Sequence, residues 1–177
     1  MIDEQAIIKN IINGDSEAFR ILIERYQAPV FRIVSNIVND RHVCEDIAQE
    51  VFLAAYKKIA SFDNTRSKFS TWLFTIARNK SLNAIKRTKT QTVDEFPEIA
   101  DCQNGDELEK QEFLKELDRQ LHSLPKDQKT VFVLAEIEKL PYEEIAQIEG
   151  VRQGTIRTRL CRAKQKLAKA LGLDWEI

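Results

Sequence analysis

The residues best suited to chemistry lie near the carboxyl end, where basic side chains follow a glycine-centred turn. Between Val151 and Leu173 every charged residue is Lys or Arg. Those expected on one face of a helix are Arg157, Arg159, Arg162, Lys164, Lys166 and Lys169. Arginine can bind guanine edges in a major groove, and both residue types neutralise phosphates. The pattern predicts nucleic-acid binding, and the alternative is an ordinary solvated basic helix.

Two helices separated by a tight turn are needed to present these side chains. The first is short and apolar around Ile145, and it ends at Gly150, which can adopt a left-handed conformation. The second carries apolar residues at helical spacing, namely Ile156, Leu160, Ala163, Leu167 and Leu171. We expect a helix-turn-helix, with Val151 at its corner and Thr155 placed to cap or enter the second helix.

The composition favours helices throughout. The chain has 177 residues, of which 43% are hydrophobic, with only 5 Gly and 4 Pro. That length allows one ordinary domain or two small ones. The net charge of -1 hides a segregation, because residues 78–90 are basic, residues 94–112 almost purely acidic, and the last helix basic again.

The cysteines and the hydropathy exclude several classes of protein. Cys44, Cys102 and Cys161 are scattered and form no C-x-x-C pair, so neither a disulfide framework nor a zinc site is predicted. His42 lies two residues from Cys44, but no second pair of ligands accompanies them. We expect no metal and no cofactor. Apolar runs are shorter than the ~18 residues of a membrane span, and no signal peptide is evident, which predicts a cytoplasmic protein without membrane insertion.

Helical periodicity predicts an all-α chain of two small domains joined by an acidic flexible linker. The expected boundaries are 1–90 for the first domain, 91–112 for the linker and 113–177 for the helix-turn-helix domain. Pro29 should kink or split the second helix. No arrangement typical of a nucleophile with its base, or of a carboxylate dyad, is present, so an enzyme is not expected.

A further polar set lies on the third predicted helix. Its apolar stripe is Val43, Ile47, Val51, Ala55 and Ile59, which recur every four residues. Asp46, Gln49 and Glu50 lie on the far side at a spacing that puts all three on one exposed face. From spacing alone, a solvated acidic cluster is favoured over a binding site.

Three segments together resemble a known family. They are residues 46–63 (DIAQEVFLAAYKKIASFD), residues 68–87 (KFSTWLFTIARNKSLNAIKR) and residues 124–167, which contain the helix-turn-helix. In this order and spacing they closely resemble the extracytoplasmic-function sigma factors of bacterial RNA polymerase. The resemblance covers nearly the whole chain. It implies a transcription initiation factor that binds the core polymerase at the clamp of the largest subunit and at the flap, and that opens promoter DNA.

The resemblance also implies roles for individual residues of the first domain. Asp46, Gln49 and Glu50 match the core-polymerase-binding motif. Phe62 and Asn79 match a pocket for a flipped base of the minus-ten element. The cations that would hold the DNA backbone there are Arg78, Lys80, Lys86 and Arg87. Trp72 could stack on bases, although its helical spacing with other apolar residues favours core packing.

In the second domain, the resemblance implies readout of the minus-thirty-five element. The base-facing positions would be Arg157, Thr158, Cys161 and Arg162, and those nearer phosphates Thr155, Arg159 and Lys164. Arg152 and Gln153 replace the small or proline-containing turn common in the family. Cys161 stands where the family often has an aromatic residue or His, so promoter preference should be unusual.

Two alternatives remain open from the sequence. The acidic linker is either a solvated spacer or a segment that threads the RNA exit path of the polymerase, and the resemblance favours the second. The chain could also be a freestanding helix-turn-helix regulator, which core polymerase would not retain. Whether an anti-sigma factor holds the protein inactive is not determined by the sequence.

Overall fold

The computed structural model describes residues 4–88 and 108–172, with side-chain surroundings for 4–87 and 116–172. The secondary structure of these ranges is helical, without strands, as expected. The chain divides into two compact units, the first built mainly from residues before the acidic segment and the second from those after it.

Within residues 4–88, the first unit is a bundle of four helices. They are α1 (Glu4–Ile12), α2 (Ala18–Ser35), α3 (Arg41–Lys58) and α4 (Phe69–Thr88), with a 3-10 turn at Ile59–Ser61 after α3. The three long helices contact one another pairwise, and α1 packs on α2 and on the 3-10 turn. The centre of the core is formed by fully buried side chains, namely Leu22, Val30, Ile33, Val34, Val51, Ala55, Leu73 and Ala77.

Pro29 does not split α2, which is one continuous helix from Ala18 to Ser35. Of the two alternatives expected, a kink or a split, the split is therefore excluded. Proline removes one backbone hydrogen bond and crowds the preceding turn. The next residues on the core side, Val30 and Ile33, are fully buried. Burial of each such side chain contributes ~1.5–3 kcal/mol, which is enough to keep the helix running past the proline.

The first helix is fastened by a polar contact as well as by its apolar face. The Tyr26 hydroxyl donates to the Glu4 carboxylate at 2.6 Å, and Arg25 lies 3.5 Å from the same carboxylate. Burial of Tyr26 raises the pKa of its hydroxyl, and the hydrogen bond to Glu4 is the second-largest cause of the same shift. The Tyr26 ring packs against Phe69 and Phe74 at centroid distances of 5.6 and 6.1 Å. One residue thus joins α1, α2 and the beginning of α4.

The second unit is also helical. Its helices are α5 (Leu108–Ser123), α6 (Lys126–Phe132), α7 (Tyr142–Glu149) and α8 (Gln153–Leu171), with a π-helical turn at Val133–Ile137 after α6. Both α5 and α6 pack on α8. The helix α5 begins inside the segment 91–112 predicted as linker, and residues 89–107 lie outside the described residues. The domain boundaries therefore stay predictions.

The π-helical turn alters the periodicity that the sequence suggested after α6. Val131 and Leu134 are fully buried, as expected, but Ile137 is 45% exposed. The amide of Leu140 bonds to the carbonyl of Leu134 at 3.0 Å, and Lys139 has a positive φ of 54°. The widened π-helical turn shifts Ile137 away from the buried face, which explains its exposure.

Candidate functional site

The turn before α8 has the geometry that the sequence predicts at Gly150. Its φ is +65°, and the amide of Val151 bonds to the carbonyl of Ala146 at 3.1 Å. This six-residue bond is the mark of a Schellman ending, which needs a left-handed residue after the helix. The chain then turns at once into α8.

Thr155 enters α8 and does not cap it, which is the second of the two alternatives that the sequence left open. The cap position is Arg152, which forms no side-chain capping bond. Thr155 lies in the first turn, where its amide bonds to the carbonyl of Arg152 at 2.9 Å. Gln153 and Gly154 are already helical, so α8 begins two residues before Thr155.

The apolar stripe of α8 faces the core of the second unit. Ile156, Leu160, Ala163 and Leu167 are each at most 3% exposed. The side chains of α8 that lie open to solvent include Thr155, Arg157, Thr158, Arg162, Lys166 and Lys169. Cys161 is half-buried between them. The arrangement leaves the predicted base-facing positions available to a groove.

Two basic residues of α8 are held by acids from a neighbouring segment. Arg159 Nε lies 3.0 Å from Asp127 Oδ2, and Lys164 Nζ lies 2.7 Å from Glu136 Oε1. The side chains of Arg159 and Lys164 are only 24% and 23% exposed. The basic residues of α8 therefore fall into two groups. Arg159 and Lys164 are paired with acids and half-buried, whereas those on the open side are exposed. Sequence reasoning could not find these pairs, because the acids are separated from their partners by 32 and 28 residues.

An aromatic cluster lies at the junction between the FDNTRSK loop and α4. The ring centroid of Phe62 is 5.6 Å from Phe69 and 5.4 Å from Trp72, and those two are 5.6 Å apart. Phe69 is buried, whereas Phe62 and Trp72 are half-buried. Trp72 thus packs on the cluster and also presents part of its surface to solvent.

The loop that carries Phe62 is shaped by the residue after it. The Asp63 carboxylate accepts hydrogen bonds from the amide and the hydroxyl of Thr65, at 2.9 and 2.7 Å. These bonds lower the pKa of Asp63. The closed turn fixes the chain beside the cluster, which limits the conformations open to the Phe62 ring.

Polar residues extend from the cluster along α4. Trp72, Asn79 and Lys86 are spaced by seven residues, so they share one face of the helix. Asn79 and Lys86 are exposed, and Asn79 lies about two turns, ~10 Å, beyond Trp72. The described ring contacts of Phe62 are with Phe69 and Trp72. Asn79 therefore continues this surface beyond the rings. Arg87 is also exposed, and Arg78 is partly buried.

The three polar residues predicted on α3 are exposed and adjacent. Asp46, Gln49 and Glu50 line a shallow hollow together with Leu53, whose side chain is 54% exposed. Leu53 is not among the residues predicted for this face from the sequence, although its position seven residues after Asp46 places it on the same face of α3. Val43, expected in the buried stripe, is 36% exposed.

One contact joins the acidic face of α3 to the basic side of α4. Lys80 Nζ donates to Glu50 Oε2 at 2.7 Å, and this bond lowers the pKa of Glu50. Lys80 is 30% exposed and Glu50 is 63% exposed. The sequence assigned the two residues to separate binding sites, whereas in the structure they are partners.

The described part of the chain holds no group of three His, Cys, Asp or Glu side chains placed to bind a metal ion. Cys44 is buried, and its thiol donates to the carbonyl of Val38 at 3.3 Å. Cys102 lies outside the described residues. None of the described helices combines the length and apolarity that crossing a bilayer requires.

The two units correspond to two known sequence families. Residues 22–91 match sigma-70 region 2, and residues 114–167 match sigma-70 region 4. A region 2 bundle followed by a region 4 helix-turn-helix defines the sigma-70 class of transcription initiation factors.

Similar proteins identify the subgroup of the sigma-70 class to which the chain belongs. The chain is 34% identical to the ECF RNA polymerase sigma-E factor of Haemophilus influenzae, covering 94% of both chains. It is 33% identical to the ECF RNA polymerase sigma factor SigW of Bacillus subtilis, covering 93% of this chain and 94% of that protein. The chain belongs to the extracytoplasmic-function sigma factors, and it acts in transcription initiation. A freestanding helix-turn-helix regulator is not favoured.

A solved structure has the same fold. The sigma factor RpoE of Bartonella quintana, crystallised in complex with the anti-sigma factor NepR, superimposes with a TM-score of 0.75 at 26% identity. The match covers 89% of this chain and 98% of that one. The helical architecture of this chain is thus that of sigma factors.

Proposed function

We propose that the acidic face of α3 is the surface that binds core RNA polymerase. The observation that carries this assignment is the hollow formed by Asp46, Gln49, Glu50 and the exposed Leu53. An exposed apolar side chain beside two acids suits a partner surface that offers an apolar contact and basic side chains. A purely solvated acid cluster would not need an exposed leucine beside it.

We assign minus-ten recognition to the aromatic cluster and α4. Proteins that hold single-stranded DNA combine aromatic platforms with cationic side chains that follow the backbone. The half-buried rings of Phe62 and Trp72 supply the platform, and Asn79 lies further along the same side of α4 as Trp72. Lys86 and Arg87, which are exposed, are placed to bind phosphates. Arg78 and Lys80 are partly buried and contribute at the edge of this surface.

We assign minus-thirty-five readout to the open side of α8. Arg157, Thr158 and Arg162 are exposed, and Cys161 lies half-buried among them. A helix that follows a tight turn can enter the major groove with its first turns, where such side chains reach base edges. Thr155, near the beginning of α8, is exposed and placed for a phosphate contact.

The remaining assignments follow from the family. Phosphodiester chemistry belongs to the polymerase, and this chain needs no catalytic residue, cofactor or metal ion. The protein acts in the cytoplasm, where the polymerase meets promoter DNA. The flap of the polymerase, besides the clamp, is the partner expected for the second unit. Since the similar Bartonella quintana factor was crystallised with an anti-sigma factor, we propose that a protein of this kind restrains the present chain.

Core retention and promoter-specific transcription together test this function. The double variant Asp46→Lys, Glu50→Lys should lose retention on core polymerase and lose promoter-dependent transcripts, with its helical content unchanged. Exposed charges rarely contribute more than ~1 kcal/mol to folding but can decide partner choice. A matched control is Glu17→Lys, Glu24→Lys, at the N-cap and within α2, where both acids are exposed. If the α3 variant co-purifies with core as well as the control does, the assignment of this face is wrong.

A further inference from the structure

The two ion pairs on α8 lie on opposite edges of its buried stripe. At about 100° per residue, Arg159 and Lys164 each lie about 70° from the middle of the stripe, on opposite sides. The stripe itself is Ile156, Leu160, Ala163 and Leu167. A single ion pair at one edge would still allow α8 to rotate about its axis in one direction. Two ion pairs, one at each edge, oppose rotation in both directions.

The two acids come from one continuous segment. Asp127 lies in the first turn of α6, and Glu136 lies in the π-helical turn that follows α6. The helix α6 packs directly on α8. Both acids therefore belong to a segment whose helix, α6, already packs on α8. The Lys164–Glu136 contact is partly shielded from water, since both side chains are less than 30% exposed.

We infer that Arg159 and Lys164 are positioning residues that set the rotation of α8, and that they do not serve mainly as phosphate contacts. The inference rests on the proposed role of α8 in minus-thirty-five readout. A rotation of about 20° moves a side-chain tip ~6 Å from the helix axis by ~2 Å. That displacement is larger than a hydrogen bond tolerates, so base contacts by Arg157 and Arg162 depend on the rotation.

The acids distinguish positioning from phosphate binding. If Lys164 binds a phosphate, Glu136 competes with DNA, and its neutralisation should strengthen binding to every sequence. If Lys164 positions the helix, neutralising either partner should damage the same base preference. The same reasoning applies to Arg159 and Asp127.

The experiment uses the full chain assembled with core polymerase and a promoter library randomised in the upstream element. Glu136→Gln and Lys164→Gln should each reduce the preference for the selected sequence at least about five-fold, the lower end of what one bidentate base contact supplies. The exchange Lys164→Glu with Glu136→Lys should restore that preference. Lys166→Gln, an exposed control on α8, should keep the preference and make the salt dependence shallower by about one charge.

Three outcomes would overturn the inference. One is an unchanged preference in Glu136→Gln with equal or tighter binding to all sequences. Another is a shallower salt dependence in Lys164→Gln without lost preference. The third is a folded exchange variant, checked by its thermal transition, that does not recover the preference. If the unmodified protein selects no upstream sequence at all, the proposed role of α8 fails instead, so the two failures are distinguishable.

Discussion

Replacement of Phe62 tests the aromatic cluster most directly, provided that packing and base stacking are separated. The ring contacts Phe69 and Trp72 at 5.6 and 5.4 Å. Each aromatic pair contributes ~0.5–1.5 kcal/mol beyond buried area. The two pairs together contribute ~1–3 kcal/mol, so Phe62→Ala should cost at least that much in unfolding free energy, because the half-buried area of the ring is lost as well. Since small domains have ~5–15 kcal/mol in total, the first unit should stay folded.

Phe62→Leu separates the two effects, because leucine retains much of the apolar contact and lacks an aromatic face. Base stacking contributes ~1–3 kcal/mol per base. The loss corresponds to about a 5- to 160-fold fall in the equilibrium for promoter opening, at 1.36 kcal/mol per tenfold change. Closed-complex formation should be unchanged, since the upstream contacts proposed for α8 remain.

Permanganate reactivity of minus-ten thymines measures opening, and a gel shift at low temperature measures the closed complex. Phe31→Leu is a matched control, because Phe31 is also partly buried but lies on α2. If Phe62→Leu opens the promoter normally and only Phe62→Ala fails, then Phe62 supports the fold and does not bind a base.

Other predictions follow from single contacts. Leu53→Asp should weaken core retention without lowering the melting temperature, because Leu53 is 54% exposed; retention equal to that of the unmodified protein would remove Leu53 from the interface. Gly150→Ala should lower the unfolding free energy of the second unit by ~1–2 kcal/mol in urea titration, since its φ is +65° and no other atom lies within 4 Å of an added Cβ. Gly150→Asn should cost less, and equal costs would argue against backbone strain. Tyr26→Phe should destabilise the first unit by about 1.5 kcal/mol through loss of the bond to Glu4. Tyr56→Phe on α3 of the same unit serves as the control, because Tyr56 is 41% exposed, and similar effects of the two would contradict the reasoning.

Local features of the fold could be predicted because they depend on short-range chemistry. Gly150 ends α7 in a left-handed conformation, and the spacing of Ile156, Leu160 and Ala163 gives the buried face of α8. Both follow from backbone sterics and helical period alone. Pro29 shows the limit of such rules, because the burial of the residues after it outweighs its local preference.

The candidate sites were predicted less completely, because charge pairing depends on residues distant in the chain. The Lys80–Glu50 pair spans 30 residues, and it joins side chains assigned to different partners. Leu53 could have been found by extending the face of Asp46 by two turns. The pairing of Lys164 with Glu136 could not have been predicted in this way, since it depends on a π-helical turn that no sequence pattern indicates.

The charge of α8 is a compromise between folding and the DNA binding proposed for this helix. Like charges three or four residues apart destabilise a helix by ~0.2–0.5 kcal/mol per pair, and α8 contains such pairs at Arg159 with Arg162 and at Arg162 with Lys166. Acids on α8 itself would relieve the repulsion, but they would also repel phosphates. Asp127, placed on another helix, compensates Arg159 at the edge of the stripe. Arg162 and Lys166 remain exposed, so DNA phosphates would relieve the remaining repulsion when the helix binds.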